Sequence, residues 1–450
     1  MNELSRRRWI STTALAGLAM TGTAAAERSA SISYTTTEQH GHPVRQRFAR
    51  NVMEFGASGD GVTDDTAAFQ KALDAVRASG GGIVHVPAGH YLLAGSVNIP
   101  PDTSIEGVFR GPVSHGLQGE SILAKPGAGS VILATGGRGR EDGTPLISLA
   151  TDAALVGVSI YYPQQNWQYT PVAYPWTIRM KGNNCTVENV ELLNPWRGIK
   201  AVQAHRHLIR NVTGQPLKTG IFVDEIYDIG RIEDVHFNPW WHNSRPVLEF
   251  MYRHGESFVF GRTDWEYVLN TFSFGYHAGY RFMEGKTGAC NGNFLGIGAD
   301  ASWHACLVEQ SQEPGLLITN GEFVSFDYLK LGGDIDPIQV VVKSPNRGPV
   351  RFVNCSFWGP CQQISTLEST STLGFGDCTF CQWNQDFPAL TAQSGSLLVQ
   401  GCEFRQASPQ IALGSKVQQA VISGNMAKGK WRIADHSHAD VQIGLNSSSS

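Results

Sequence analysis

The sequence predicts an all-β solenoid, a stack of short strands wound in coils, and three observations carry that prediction. One four-residue phrase recurs about every 22 to 24 residues: Asn354-Cys355-Ser356-Phe357, Asp377-Cys378-Thr379-Phe380, Gly401-Cys402-Glu403-Phe404 and Ser423-Gly424-Asn425-Met426. Asn189-Val190-Glu191-Leu192, Asn211-Val212-Thr213-Gly214 and Asp234-Val235-His236-Phe237 hold the same slot earlier. A fixed period of that length means one supersecondary unit stacked on copies of itself. The units are also short, glycine-rich and β-branched with no helical period, as strands between turns are. Finally, the 50 Gly and 21 Pro among 450 residues supply a turn for every coil. Solenoids grow by adding coils, so the repeat favours one body over the two or three domains that length alone allows.

Residues 1–26 read as an export signal. Ser5-Arg6-Arg7-Arg8-Trp9-Ile10 is similar to a twin-arginine motif, an apolar stretch runs to Met20, and Ala24-Ala25-Ala26 offers a small-residue cleavage site. The expectation is a secreted or periplasmic protein exported by that route, with no membrane span. Removing the segment removes Arg6, Arg7, Arg8 and Glu3 and takes the formal charge from −4 to −6. That balance gives no support to nucleic-acid binding. Residues 27–50 are polar and read as a flexible arm, residues 51–440 as the β-helical catalytic domain, and residues 441–450, ending in four serines, as a disordered tail.

The folded part opens with Asn51-Val52-Met53-Glu54-Phe55-Gly56, then a Gly59-Asp60-Gly61 turn and Asp64-Asp65-Thr66. Asp64 or Asp65 can cap the helix that follows, whose Phe69, Ala72, Leu73 and Val76 form a single apolar stripe. Ile83-Val84-His85-Val86-Pro87-Ala88-Gly89-His90-Tyr91 then reads as strand, turn, strand. The stretch from Asn51 to Leu93 resembles the opening of the pectate-lyase-like superfamily, which includes glycoside hydrolase family 28-related proteins, polysaccharide lyases, uronan epimerases and phage tailspikes. The resemblance implies a single-stranded right-handed parallel β-helix with an N-terminal capping α-helix, acting on carbohydrate, as a monomer or homotrimer. The paired aspartates belong to the cap and not to the chemistry.

From about 94 to 180 the coils are less regular, with glycine-rich insertions at 110–119 and 136–144. Of the eight cysteines, Cys355, Cys378 and Cys402 share one repeat slot and should stack inward as small apolar thiols. Cys378 and Cys381 form a C-x-x-C without a second pair at zinc spacing, which reads as structural. A Cys361–Cys381 disulfide is an open alternative, and no metal site is expected.

Each coil carries a second strand after Gly or Pro: 198–203, 220–225, 246–251, 279–284, 304–309 and 337–342. Coils stack roughly 4.8 Å apart, so equivalent residues lie above one another. Asp224, Glu225, Glu249, Glu284 and Glu309 fall at or near the strand end in four successive coils. Stacked carboxylates raise one another's pKa, and glycoside hydrolysis needs one protonated and one charged. Adjacent coils suit the retaining separation of about 5 Å, alternate coils the inverting one of about 9–10 Å. Asp224, Glu225, Glu249 and Glu284 are therefore the catalytic candidates. Asp228, Trp240, Trp241, Arg253, Asp264, Trp265, Glu266, Arg281 and Glu309 are the substrate-binding ones, since sugars stack on aromatics and bond to acids.

The leading expectation is an exported glycoside hydrolase or related transglycosylase with no cofactor. The intact family-28 polygalacturonase pattern is missing, which argues against pectin as substrate. The first alternative is a lyase or epimerase on a uronic-acid polymer. It needs cations to neutralise the sugar carboxylate and a base at C5, for which Lys200, Arg206, Arg253, Arg281 and Lys343, with His205, His207, His254 and His277, are candidates. Acids holding Ca²⁺ would serve the same reading. The second alternative is a non-catalytic carbohydrate-binding or tailspike-like protein.

Overall fold

The computed structural model describes residues 48–109, 129–333 and 335–449. The signal-like segment, most of the arm and the 110–119 insertion lie outside them. The strands form ladders that are parallel throughout. Each coil contributes one strand to each of three stacked faces. The first face begins with Phe48–Asn51, Gly82–His85 and Thr103–Glu106. The second begins with Asp60–Asp64, Gly89–Leu93 and Ser130–Ala134. The third runs Val97–Ile99, Ile147–Leu149, Trp176–Met180, Arg197–Val202, Thr219–Asp224, Glu256–Phe260, Ala278–Phe282, His304–Val308, Ile338–Val342 and Gln363–Leu367.

The repeated phrase is the corner between the first and second faces. Its first residue adopts the left-handed conformation in coil after coil: Asn189, Asn211, Asp234, Asn270, Asn320, Asn354 and Asp377 have φ between 49° and 55°. Asn and Asp tolerate this region better than other side chains, and Gly takes it freely. Gly296, Gly401 and Gly424 occupy the same slot. The last phrase is thus out by one residue as aligned from sequence, because Glu403 pairs with Met426 and sets Gly424 over Gly401. The second residue points inward. Cys355, Cys378 and Cys402 are buried, with the Cys402 sulfur accepting from the Cys378 amide at 3.4 Å. The fourth residue stacks in the core, with Phe357, Phe380 and Phe404 ring centres 5.5 and 4.8 Å apart. All eight cysteines are free thiols, Cys361 and Cys381 included.

Helix α1, Thr66–Ala78, covers the N-terminal end and buries Ala68, Phe69, Ala72, Leu73 and Val76. Asp64 binds the Thr66 amide at 3.0 Å, while buried Asp65 clamps the amides of Ser58 and Gly59. At the other end, Asp440–Gly444 and Ser447–Ser449 are strands paired to the preceding coil, not a disordered tail. A parallel ladder is made of backbone bonds, so exposed serines can extend it. The last three residues of the arm, 48–50, likewise join the first face in the strand Phe48–Asn51.

Residues 246–251 do not form a strand of the third face. Arg245–His254 is a helix, α2. Pro near its start and buried Val247, Leu248, Met251 and Tyr252 give it a helical stripe. The strand of that coil is Glu256–Phe260, further along the chain.

Candidate active site

One slot per coil of the third face holds, in order, Ser148, Arg179, Lys200, Phe222, Val259, Arg281, Leu307 and Val341; Arg179, Lys200, Phe222 and Arg281 are half-buried, and the other four are covered. Arg179 and Lys200 are strand partners on adjacent coils. Neither has an ion-pair partner among the described residues, and Arg179 Nε is buried without a hydrogen bond. The Lys200 ammonium lies 5.9 Å from the Trp176 ring centre and 5.8 Å from that of Phe222, within cation–π range. Burial pushes the Lys200 pKa down, and the neighbouring Arg179 and Arg197 charges push the same way. Arg197 stacks on Trp176 at 4.8 Å but gives its charge to Glu141, which also pairs with Lys218 at 3.2 Å.

Asp224 ends the next strand, opposite Val202. It is 8 % exposed, and its Oδ1 accepts the amides of Glu225 at 2.9 Å and Arg262 at 2.7 Å. Two glycines make room for it. A Cβ on Gly261 would sit 2.5 Å from Oδ1, and one on Gly285 would also fall on this carboxylate. Asp224 contributes an attractive charge to Lys200, so the two form the polar end of one patch.

The other acids expected in the column are dispersed. Glu249 sits on α2 between Arg245 and Arg253, at 3.8 and 3.1 Å, and leaves the face altogether. Arg253 is thereby neutralised. Glu225 accepts from Gln203 at 2.6 Å. Glu284 is exposed, one residue before Gly285. Glu309 and Glu256 hold Arg281 between them, at 3.0 and 2.6 Å. Asp228 pairs with Arg206. Asp264 takes a two-point contact from Arg262 and a bond from Gln312.

Glu266 is fully buried, bonded to His207 at 3.0 Å and to the Thr263 hydroxyl at 2.6 Å. It cannot touch substrate, since an inward slot of the same strand carries it into the core. Trp241 is also buried, whereas half-buried Trp240 packs on His236 at 4.6 Å. Trp265 is 60 % exposed, and Arg262 lies over the Tyr227 ring at 5.2 Å.

Of the cations named from sequence, Arg206, Arg253, Arg281 and Lys343 each hold a carboxylate, and among the described residues Lys200 has no such ion pair. Of the histidines, His207 is in the core on Glu266, while His205, His254 and His277 pair with no carboxylate among the described residues. Arg179, Trp176 and Phe222 were missed, although Arg179, Lys200 and Phe222 occupy one slot in three successive coils. Alignment of the coils one strand earlier exposes that slot.

The glycine-rich loop at 136–144 is anchored by Glu141 and, with Pro175 and Trp176, lines a cavity of about 390 Å³. Helix α2 sets Phe250 on Trp196 at 4.9 Å, and the same Trp196 lies under Lys218, a partner of Glu141. Among the described residues no group of three or more His, Cys, Asp or Glu is placed to hold a metal ion. Glu256, Glu309 and Asp264 are committed to arginines and do not fit a Ca²⁺ oxygen cage. No helix among the described residues is long and apolar enough to cross a membrane.

Residues 49–116 match the family described as rhamnogalacturonase A/epimerase, pectate lyase-like. A mannuronan C5-epimerase, AlgE1 of Azotobacter vinelandii, is 62 % identical over 45 residues, 10 % of this chain and 3 % of that protein. The chain thus matches only a small part of the length of such curated relatives. The A-module of A. vinelandii AlgE6 superposes with a TM-score of 0.51 at 16 % identity, covering 89 % of this chain and 99 % of the module. An N-terminal fragment of bacteriophage Phi29 gene product 12 superposes with a TM-score of 0.64 at 14 % identity, covering 88 % of this chain and 70 % of that one. At these identities the superpositions establish the fold.

Proposed function

We propose that this chain, a parallel β-helix of the pectate-lyase-like superfamily, is a carbohydrate-active enzyme that removes the C5 proton of a uronic-acid residue, as a lyase or a C5-epimerase. One observation carries the reading. Arg179 and Lys200 stand side by side on the third face with no ion pair to a carboxylate among the described residues, Lys200 lies between the rings of Trp176 and Phe222, and Asp224 and Asp142 attract it from further off. A C5 proton is acidic enough to remove only once the sugar carboxylate is neutralised. Arg179, always charged, suits that task. Lys200, whose pKa is lowered by burial and by the Arg179 and Arg197 charges, suits proton transfer. Asp224, fixed by two amides, accepts a sugar hydroxyl. Collapse of the carbanion with cleavage of the C4–O4 bond, O4 leaving as a hydroxyl with a proton taken from water, gives an unsaturated product. Return of a proton from water on the opposite face gives the epimer, and the Lys200 ammonium gives up its proton to solvent. The 45-residue match to a protein named as a mannuronan C5-epimerase supports this chemistry over hydrolysis.

A hydrolase reading has its own support. Gly285 packs on the Asp224 carboxylate, so its neighbour Glu284 is the acid best placed to pair with Asp224. The two readings separate in one assay on a polysaccharide panel. The first gives ultraviolet-absorbing product or C5 exchange with solvent, and the second gives new reducing ends with neither.

A further inference from the structure

Another cavity lies further along the solenoid, where three successive turns lead from the second face into the third. The turns at 326–337, 359–362 and 381–384 enclose about 660 Å³, within the range of small-molecule sites. Two steps of the stack separate the outer turns, roughly 10 Å along the axis. From Lys200 to Val341, on the strand that follows Pro337, is five coil steps through Phe222, Val259, Arg281 and Leu307, or roughly 24 Å. A sugar bound at the Arg179–Lys200 patch does not reach this cavity.

Its floor is buried and largely apolar: Pro337, Cys361 and Trp383. The Trp383 ring is fixed, because its indole N–H donates to the Pro409 carbonyl at 3.1 Å. Half-buried Phe326 and exposed Pro360 extend the apolar wall. Proline brings no N–H to satisfy and an aromatic ring offers a flat apolar surface, so this wall suits the C–H face of a sugar ring.

The polar groups of the cavity have unused bonding capacity. Gln382 has a left-handed backbone, φ 62°, and its Oε1 accepts the Gly359 amide at 3.1 Å, which leaves its NH₂ group to donate. Asn384 Oδ1 accepts the Asp386 amide at 3.0 Å and leaves its NH₂ group in the same state. Gln362 is held by its backbone, whose N–H donates to the Pro337 carbonyl at 2.8 Å, and its side-chain amide has no hydrogen bond among the described residues. Asp327 Oδ2 accepts the Gly332 amide at 2.8 Å, while Oδ1 is buried with no partner. A buried acceptor without a donor is uncommon in a folded protein, and a ligand hydroxyl would satisfy it. No Lys, Arg or His lines the cavity, and Lys330, on the same turn as Asp327, is exposed and forms no ion pair with it among the described residues. A uronate here would bring its carboxylate beside Asp327 with no lining cation, and both charges would lose water.

We propose that this cavity is a second saccharide site, which takes a neutral disaccharide unit of a polysaccharide and holds it without reacting with it. The site stands or falls independently of the C5 chemistry. The test is calorimetric titration of the purified protein with neutral gluco-, manno- and galacto-configured tetrasaccharides and with the corresponding uronate tetrasaccharides. At least one neutral tetrasaccharide should bind, ten-fold or more weakly in Asp327→Ala, several-fold more weakly in Gln362→Ala, and unchanged in Lys200→Ala. Circular dichroism melts check that the variants fold. The Gln362 side chain bonds to nothing in the described chain, so Gln362→Ala decides alone if Asp327→Ala does not fold. Absence of neutral binding, neutral binding that both cavity variants leave unchanged, or neutral binding lost in Lys200→Ala overturns the proposal. So does a uronate tetrasaccharide whose binding Asp327→Ala abolishes. Neutral binding at the cavity with no C5 exchange on any polymer leaves this site standing and removes only the chemistry proposed above.

Discussion

At the scale of single residues, what matters is which charges have no ion-pair partner among the described residues. Most acids and bases singled out by type are spent on each other, and Lys200 and Arg179 are not. Lys200→Ala should lower kcat by about a hundred-fold or more, the range for loss of a proton-transfer group. Lys200→Arg keeps the charge but not the accessible neutral form, so it should retain substrate affinity while kcat stays low. Arg179→Ala should act mainly on kcat/KM. Steady-state kinetics on the best polymer of the panel reads all three. Glu266 makes the opposite case. Its removal leaves a buried His207 without its charge partner, so Glu266→Gln should cost about 3 kcal/mol in urea unfolding while kcat of the folded fraction is unchanged.

At the scale of elements, the coil corner was legible and the face was only partly so. The Asn-x-x-x phrase is a direct imprint of backbone geometry, because a left-handed φ at one position per coil restricts the residue type there. Asn211→Ala should therefore cost about 1–2 kcal/mol. It loses both the conformational preference and the 2.6 Å bond to Asn189. Asn211→Gly should cost less, and chemical denaturation of the pair separates the two terms. The third face was misread at one coil, since Gly or Pro followed by apolar residues and a glutamate fits 246–251 as well as it fits a true strand. Burial of Val247, Leu248, Met251 and Tyr252 at helical spacing decides for α2, and it takes Glu249 out of the column. Arg179 escaped notice because its strand lies in the irregular stretch before residue 180. Glu266 and Trp241 were assigned to substrate because residue type says nothing about which side of a corner faces the core.

At the scale of the whole molecule, stability should depend on acid in a defined direction. Burial holds His277 and His304 down at about 4, below their ordinary value of 6.5, with Arg281 and His254 adding to the shift at His277. The unfolded chain then binds more protons than the folded one between these values. Their contribution is complete above pH 6.5 and is lost as pH falls towards 4. Unfolding free energies at pH 7 and pH 5 should differ less for His277→Asn combined with His304→Asn than for the parent.

C5 proton removal at the Arg179–Lys200 patch is read directly by isotope exchange. The protein is incubated with the polysaccharide panel in D₂O and the products are followed by proton NMR and ultraviolet absorbance. Deuterium at C5 or an unsaturated product should appear on at least one uronate-containing polymer and be abolished by Lys200→Ala. New reducing ends with neither signal, or C5 exchange undiminished in Lys200→Ala, would contradict it.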